Sequence, residues 1–314
     1  MSARPRILVI RGGAIGDFIL TLPAIGLLRE NFPHAHLEIL GYQHIIALAE
    51  GRHYADAIRS IEYAALSRFF IPQAELAPDL VDYFASFQQV VSYLYDPDRI
   101  FENNLRRCGV KHFVAISPKL DDSAHASHQL ARPLEQLALY LENPGAVLHP
   151  SADDEKFAAE FLPPNASLLI ALHPGSGSER KNWPLSHWRA LGDWLIARES
   201  QPTLLLVGGE ADHAALAALA AAWKQAPVFL VKDLPLPKLA AVLTRARLFI
   251  GHDSGISHLA AAAGAPCVLL FGPTDPEVWA PRQRNVTVVA APDGKLEALD
   301  LDLLKEKIDS ALVS

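Results

Sequence analysis

Cysteine is nearly missing from this chain: two in 314 residues, Cys108 and Cys267, far apart and in no metal-ligand spacing. That excludes a disulfide framework and a thiolate metal centre, and it reads as two reduced, buried thiols of a cytosolic protein. Long apolar runs are missing as well. The run ILVI near the start is too short for a signal peptide and leads straight into glycines. No uninterrupted apolar stretch can cross a bilayer, which leaves at most peripheral membrane contact. Positive charge is in deficit: 28 Lys and Arg stand against 35 Asp and Glu, a formal net charge of −7. The balance argues against nucleic acid or anionic lipid as the main partner. Low-complexity tracts and fixed-period repeats are absent. A charged fraction of 20% beside 50% hydrophobic residues describes a chain able to bury sizeable cores.

What is present is alternation. Short apolar runs at 6–10, 37–40, 57–61, 90–94 and 112–116 form one series, and runs at 168–172, 203–207, 228–231, 248–250, 267–271 and 286–289 form a second. Most are apolar throughout, as strands covered on both faces are, and amphipathic helical patterns lie between them. The expectation is an α/β protein with two doubly wound parallel sheets. Pro, Gly and acidic residues cluster over 140–167, so the division is expected near residue 160, giving domains 1–160 and 161–314. The amphipathic tail 296–313 reads as a terminal helix, free to pack back on the N-terminal domain.

Sheets of this kind bind ligands beyond the carboxyl ends of their strands, so polar clusters just after strands are the candidates. The first is RGGAIGDFILTLP. Gly12 and Gly13 allow close backbone approach, but Gly12, Gly13 and Gly16 do not have the G-x-G-x-x-G spacing. Pro23 suits a first turn, so Thr21 is expected to cap a second helical segment. Asp17 reads either as a helix cap, which the local pattern favours, or as a general base. The second cluster, HPGSGSERKNWPLS, lacks the Walker order. Its Ser176, Ser178 and glycines could form an anion nest with Arg180 and Lys181 supplying charge, and Ser186 is expected to cap the next helix; a plain surface loop is an equal reading. The third is HDSGISH. Amides of Ser254, Gly255, Ile256 and Ser257 at a helix start attract phosphate, and His258 can donate to it. Asp253 would be repelled by phosphate and fits the hydroxyls of an attached sugar; the competing reading makes it the helix cap and His258 a core histidine. In GPTDP, Thr274 caps a short helix or touches ligand, while Gly272, Pro273 and Asp275 form a turn. Glu210 stands after a strand, as a ribose ligand or, more simply, a helix-start acid.

Together the segments GAIGDFILTLPAI, HPGSGSERKNWPLSHWRAL and FIGHDSGISHLAAAAGAPCVLLFGPTDP resemble glycosyltransferase family 9, the heptosyltransferases, in order and over most of the chain. The resemblance implies a GT-B fold of two facing Rossmann-like domains with an interdomain cleft, the C-terminal one binding a nucleotide sugar, often ADP-heptose, and the N-terminal one the acceptor. It implies Asp17 as base, Lys181, Ser254, Gly255 and His258 at the donor diphosphate, and Asp253 at the donor sugar. Gly12, Gly13, Ser176, Ser178, Glu210 and Thr274 are candidates for further nucleotide or loop contacts. It implies inverting transfer with no bound metal or cofactor beyond the ADP-sugar co-substrate, and a glycolipid or oligosaccharide acceptor of lipopolysaccharide-core type at the inner face of a bacterial membrane. In SAHASHQLARPLEQ, Gln129 stands where the family commonly has arginine, so either Arg132 substitutes or the acceptor lacks the phosphates of a typical inner core. A transferase using another nucleoside-diphosphate sugar, a GT-B sugar-nucleotide epimerase and a silent nucleotide-binding module stay open as alternatives.

Overall fold

The computed structural model describes residues 4–164 and 168–313. Every apolar run becomes a parallel strand. The first sheet contains β1 (Arg6–Arg11), β2 (His36–Gly41), β3 (Ala57–Ser60), β4 (Gln89–Ser92) and β5 (His112–Ala115), in the order β3-β2-β1-β4-β5. The second contains β6 (Leu169–His173), β7 (Thr203–Gly208), β8 (Val228–Lys232), β9 (Leu248–His252), β10 (Cys267–Phe271) and β11 (Val286–Ala290), in the order β11-β10-β9-β6-β7-β8. In each sheet the chain steps outward, then returns to the other side of the first strand. In the second sheet this sets β9 beside β6, with His173 level with Gly251. Such a reversal opens a crevice at the carboxyl ends of the two strands. Central strands are apolar because helices cover both faces: Leu8, Val9, Ile10, Leu248, Phe249 and Ile250 are fully buried.

The chain divides into two compact units, Met1–Pro144 and Gly145–Ser314. The divide comes before the boundary expected near residue 160, because the helix Ala152–Phe161 packs on the helix Leu236–Leu243 of the second unit. Residues 165–167, the end of the stretch expected to divide the domains, lie outside the described residues. The first unit's core gathers Phe69, Phe84 and Phe101 against Leu8 and Ile10. The second joins Trp188, Leu191 and Leu195 to Leu216, Leu219 and Trp223, and takes in Leu304 and Ile308 from the helix Leu301–Val313. The terminal helix therefore packs within the second unit. Both cysteines are buried and unpaired.

Two helix starts differ from expectation. Ile15–Asn31 is one helix running through Pro23, with no second segment capped by Thr21. Its residues from Phe18 to Gly26 are all buried, so packing outweighs the lost hydrogen bond at Pro23. The Thr21 hydroxyl instead donates to the Asp17 carbonyl at 2.7 Å and accepts from Arg11 Nε at 2.9 Å. Ser186 lies inside the first turn of the helix Leu185–Ile196, which starts directly after Pro184, so it is not the cap.

Candidate active site

In the second unit, the loops after the neighbouring strands β6, β9 and β10 meet at one carboxylate oxygen. Lys181 Nζ donates to Asp253 Oδ2 at 2.7 Å, and the Thr274 hydroxyl donates to the same oxygen at 2.7 Å. Asp253 is buried, while the Lys181 side chain keeps 31% of its surface exposed. Oδ1 of Asp253 accepts nothing from the described residues. An ammonium carries three donors, so Lys181 retains N–H groups for a second acceptor.

Asp253 is free for these bonds because Ser254 caps the helix Gly255–Ala262. The Ser254 hydroxyl accepts from the Ser257 amide at 3.3 Å, and its carbonyl from the His258 amide at 3.1 Å. The Ser257 amide, expected as a phosphate donor, is therefore occupied. The Gly255 and Ile256 amides make no hydrogen bond among the described residues, which leaves two donors at the positive end of the helix. His258 lies one turn in and is buried.

Behind this edge lies a layer of buried and half-buried polar groups with little sequence signal. His173, at the end of β6, places Nδ1 3.4 Å from the Ser254 hydroxyl and Nε2 3.5 Å from Asp212 Oδ2. Burial works against the Asp212 carboxylate, but His173 and the Gly209 amide hold its pKa below the usual range. Glu210 and Asp212 are both acids of the short helix that starts here, as the simpler reading of Glu210 expects; it is Asp212 that accepts the Gly209 amide, at 2.9 Å, while the Glu210 side chain is exposed. A side chain at Gly175 would overlap the Asp212 carboxylate, so glycine is required there by close approach. Ser176 and Ser178 bond to each other: the Ser176 hydroxyl donates to the Ser178 carbonyl at 2.7 Å and accepts its amide at 3.2 Å. Arg180 is exposed. Asp275 caps the short helix Pro276–Trp279, accepting from Glu277 at 2.8 Å, which leaves Thr274 to serve Asp253 rather than to cap.

In the first unit, Gly12 and Gly13 follow β1, and Asp17 is in the first turn of the helix Ile15–Asn31. Asp17 Oδ2 accepts the Ala14 amide at 2.9 Å, the contact of a helix-start acid, while the side chain remains 43% exposed. The buried Arg11 guanidinium lies 3.7 Å from Asp17 Oδ1 and donates to the Asp17 carbonyl at 3.1 Å. Burial presses the Arg11 pKa below its ordinary value, against the pull of Asp17. Gln129 holds the loop before it: its amide donates to the Asp121 and Ala124 carbonyls at 2.6 and 2.7 Å, and Arg132 is exposed. A cavity of about 560 Å³ opens beyond β4 and β5, lined by Tyr95, Arg99, Glu102 and Arg106 among others. Its two guanidinium groups both bond the buried Glu102. Among the described residues, no group of three His, Cys, Asp or Glu is placed to hold a metal, and no helix is long and apolar enough to cross a membrane.

Comparison with known proteins matches residues 107–306 to glycosyltransferase family 9 (heptosyltransferase). Lipopolysaccharide heptosyltransferase 3 of Escherichia coli is 24% identical over 289 residues, covering 86% of this chain and 84% of that one. The crystal structure of a family 9 glycosyltransferase from Veillonella parvula superposes with a TM-score of 0.81 at 20% identity, covering 98% of this chain and 97% of the other. An E. coli heptosyltransferase solved with ADP gives a TM-score of 0.72 at 20% identity, covering 98% and 99%. A second structure of it holds ADP-2-deoxy-2-fluoro heptose. The fold shared with these structures is GT-B.

Proposed function

The chain belongs to glycosyltransferase family 9, the heptosyltransferases, and from that premise we propose that it moves a heptose or similar sugar from an ADP-linked donor to a hydroxyl of a lipopolysaccharide-core or related glycan, with inversion and without a metal. The observation that carries the reading is the meeting of Lys181, Asp253 and Thr274 beside the open amides of Gly255 and Ile256. A cation and a helix start suit a diphosphate, and an acceptor-only carboxylate oxygen beside them suits sugar hydroxyls. The relatives solved with ADP and an ADP-heptose analogue support ADP as the carrier.

In this mechanism the second unit holds the donor. Lys181 keeps its bond to Asp253 and extends a second N–H to the diphosphate, joined by the Gly255 and Ile256 amides, the Ser254 hydroxyl and His258. Asp253 Oδ1 accepts from a sugar hydroxyl. The first unit holds the acceptor, and Asp17 takes the proton of its hydroxyl as that oxygen attacks the anomeric carbon from the face opposite the diphosphate. The bond from that carbon to the phosphate oxygen breaks, and its electron pair leaves with ADP. Lys181 and the helix amides stabilise the charge that grows there, so fixed protein dipoles do the work a metal could otherwise do. Gly13, having no Cβ, leaves room for the Asp17 carboxylate. The cavity beyond β4 and β5 is the acceptor-side pocket on this reading, and the transfer takes place at the cytoplasmic face of the inner membrane through peripheral contact.

A panel of ADP-, UDP- and GDP-linked sugars, each assayed with and without a lipopolysaccharide-core acceptor, tests the reading. Product of inverted anomeric configuration is expected only with an ADP-sugar and an acceptor. Release of free or epimerised sugar without acceptor, or binding without turnover, rejects it. Asp17→Asn should keep ADP binding and lower turnover by about 10²–10⁴-fold, and near-normal turnover removes Asp17 from the role of base. Lys181→Ala should weaken ADP in calorimetry and slow transfer by about 10²–10³-fold.

A further inference from the structure

We propose that His252 is a positioning residue that fastens the Lys181 loop at both ends and so sets the lysine against Asp253; the inference rests on the reading of Lys181 as a diphosphate ligand. The loop joins β6 to the helix Leu185–Ile196; Trp183 at its far end is buried in the core against Trp188, whereas the stretch before it that carries Lys181 is Gly, Ser and charged residues with little apolar surface to fix it. One imidazole bridges it. The Trp183 amide donates to His252 Nε2 at 2.8 Å. Nε2 is then the lone-pair nitrogen, and Nδ1 carries the hydrogen that it donates to the Gly175 carbonyl at 3.3 Å. The residues between these two fastenings, 176–182, include Lys181.

The clamp and the ion pair share a backbone. His252 is the last residue of β9 and Asp253 follows it, so the ring that holds the loop is one residue from the carboxylate that Lys181 meets. The ring itself is held. It is 0% exposed, the Trp188 ring stands edge-on to it at 5.2 Å, and its own carbonyl accepts the Ser257 hydroxyl. Burial also keeps it neutral, pushing its pKa down to about 3, which preserves the lone pair that Trp183 needs. An apolar residue here would leave a buried amide and a buried carbonyl unpaired at the two ends of the loop.

A double-mutant cycle on ADP affinity, read by calorimetry on the full chain, tests this. His252→Leu should weaken ADP about tenfold. In a Lys181→Ala background the same change should cost less than about twofold, because the loop then has no lysine to aim. His252→Gln, whose side-chain oxygen can reach the Nε2 position, should hold ADP affinity within about threefold of the parent. An equal loss from His252→Leu in both backgrounds, or no loss in the parent, overturns the inference while leaving Lys181 at the diphosphate. Unchanged affinity in Lys181→Ala alone overturns the diphosphate reading, and this inference with it. Should the Leu variant fail to fold, nitrogen-15 shifts of the unmutated protein decide: His252 must carry its hydrogen on Nδ1 at pH 7, and the opposite tautomer ends the proposal.

Discussion

Gly13 takes φ +98°, and a Cβ built on it would stand 2.7 Å from Asp17 Oδ2. Gly12, with no such φ, would meet its nearest neighbour only at 3.7 Å. Gly13→Ala should therefore lower stability by about 1–3 kcal/mol and slow transfer by displacing Asp17, whereas Gly12→Ala should stay within about 0.5 kcal/mol. Urea unfolding of the two variants side by side checks this, and equal effects would contradict it. The two glycines are adjacent letters of equal standing in the sequence, and only backbone conformation separates them. Asp253 is a similar case. As a residue just before a helix it reads equally as cap or ligand, and the Ser254 hydroxyl decides by taking the cap. Asp212 and His252 carried no signal beyond being polar near a strand's end, because the ring and amide that meet them across the site, His173 and Trp183, are 39 and 69 residues away.

Strands were legible element by element. Runs such as CVLLF are apolar throughout because helices cover both sheet faces, and each run lies on or within a residue or two of an observed strand. Helix starts were less legible. Pro23 punctuates a sequence strongly, yet tertiary burial carries the helix through it. Helix contact sets its own demands: a Cβ on Gly192 would run into the Trp223 ring where the helices Leu185–Ile196 and His213–Ala222 pack. Gly192→Ala raises helix propensity but should still destabilise by about 1–3 kcal/mol through overpacking. A raised melting temperature would contradict that contact. The Trp223 indole donates to Asp193 at 2.8 Å, so the ring cannot turn aside without losing that bond.

For the whole molecule, carboxylates with lowered pKa shape the acid response. Burial alone would raise the Asp56 pKa, but Arg29, the Leu37 amide and Arg4 hold it at about 2, below its ordinary 3.8. The bonds from Arg99 and Arg106 hold Glu102 low, against burial, and Asp212 is low as well. A depressed carboxylate stabilises fully above its unfolded pKa and loses that contribution as pH falls through the folded one. The urea midpoint should accordingly decline from about pH 4 towards pH 2, and more shallowly in Asp56→Asn. A flat midpoint over that range would refute the assignment.

By itself the sequence determined the alternation of strands and helices, the two parallel sheets and the family, because apolar periodicity and contiguous motifs are local properties of the chain. The tertiary structure alone decided the division at Pro144, the place of the terminal helix, and the occupation of each polar group at the strand ends. At the centre of the site the partners, Lys181 with Asp253 and Trp183 with His252, are 72 and 69 residues apart; they meet only when β9 returns beside β6, and no short stretch of sequence contains both.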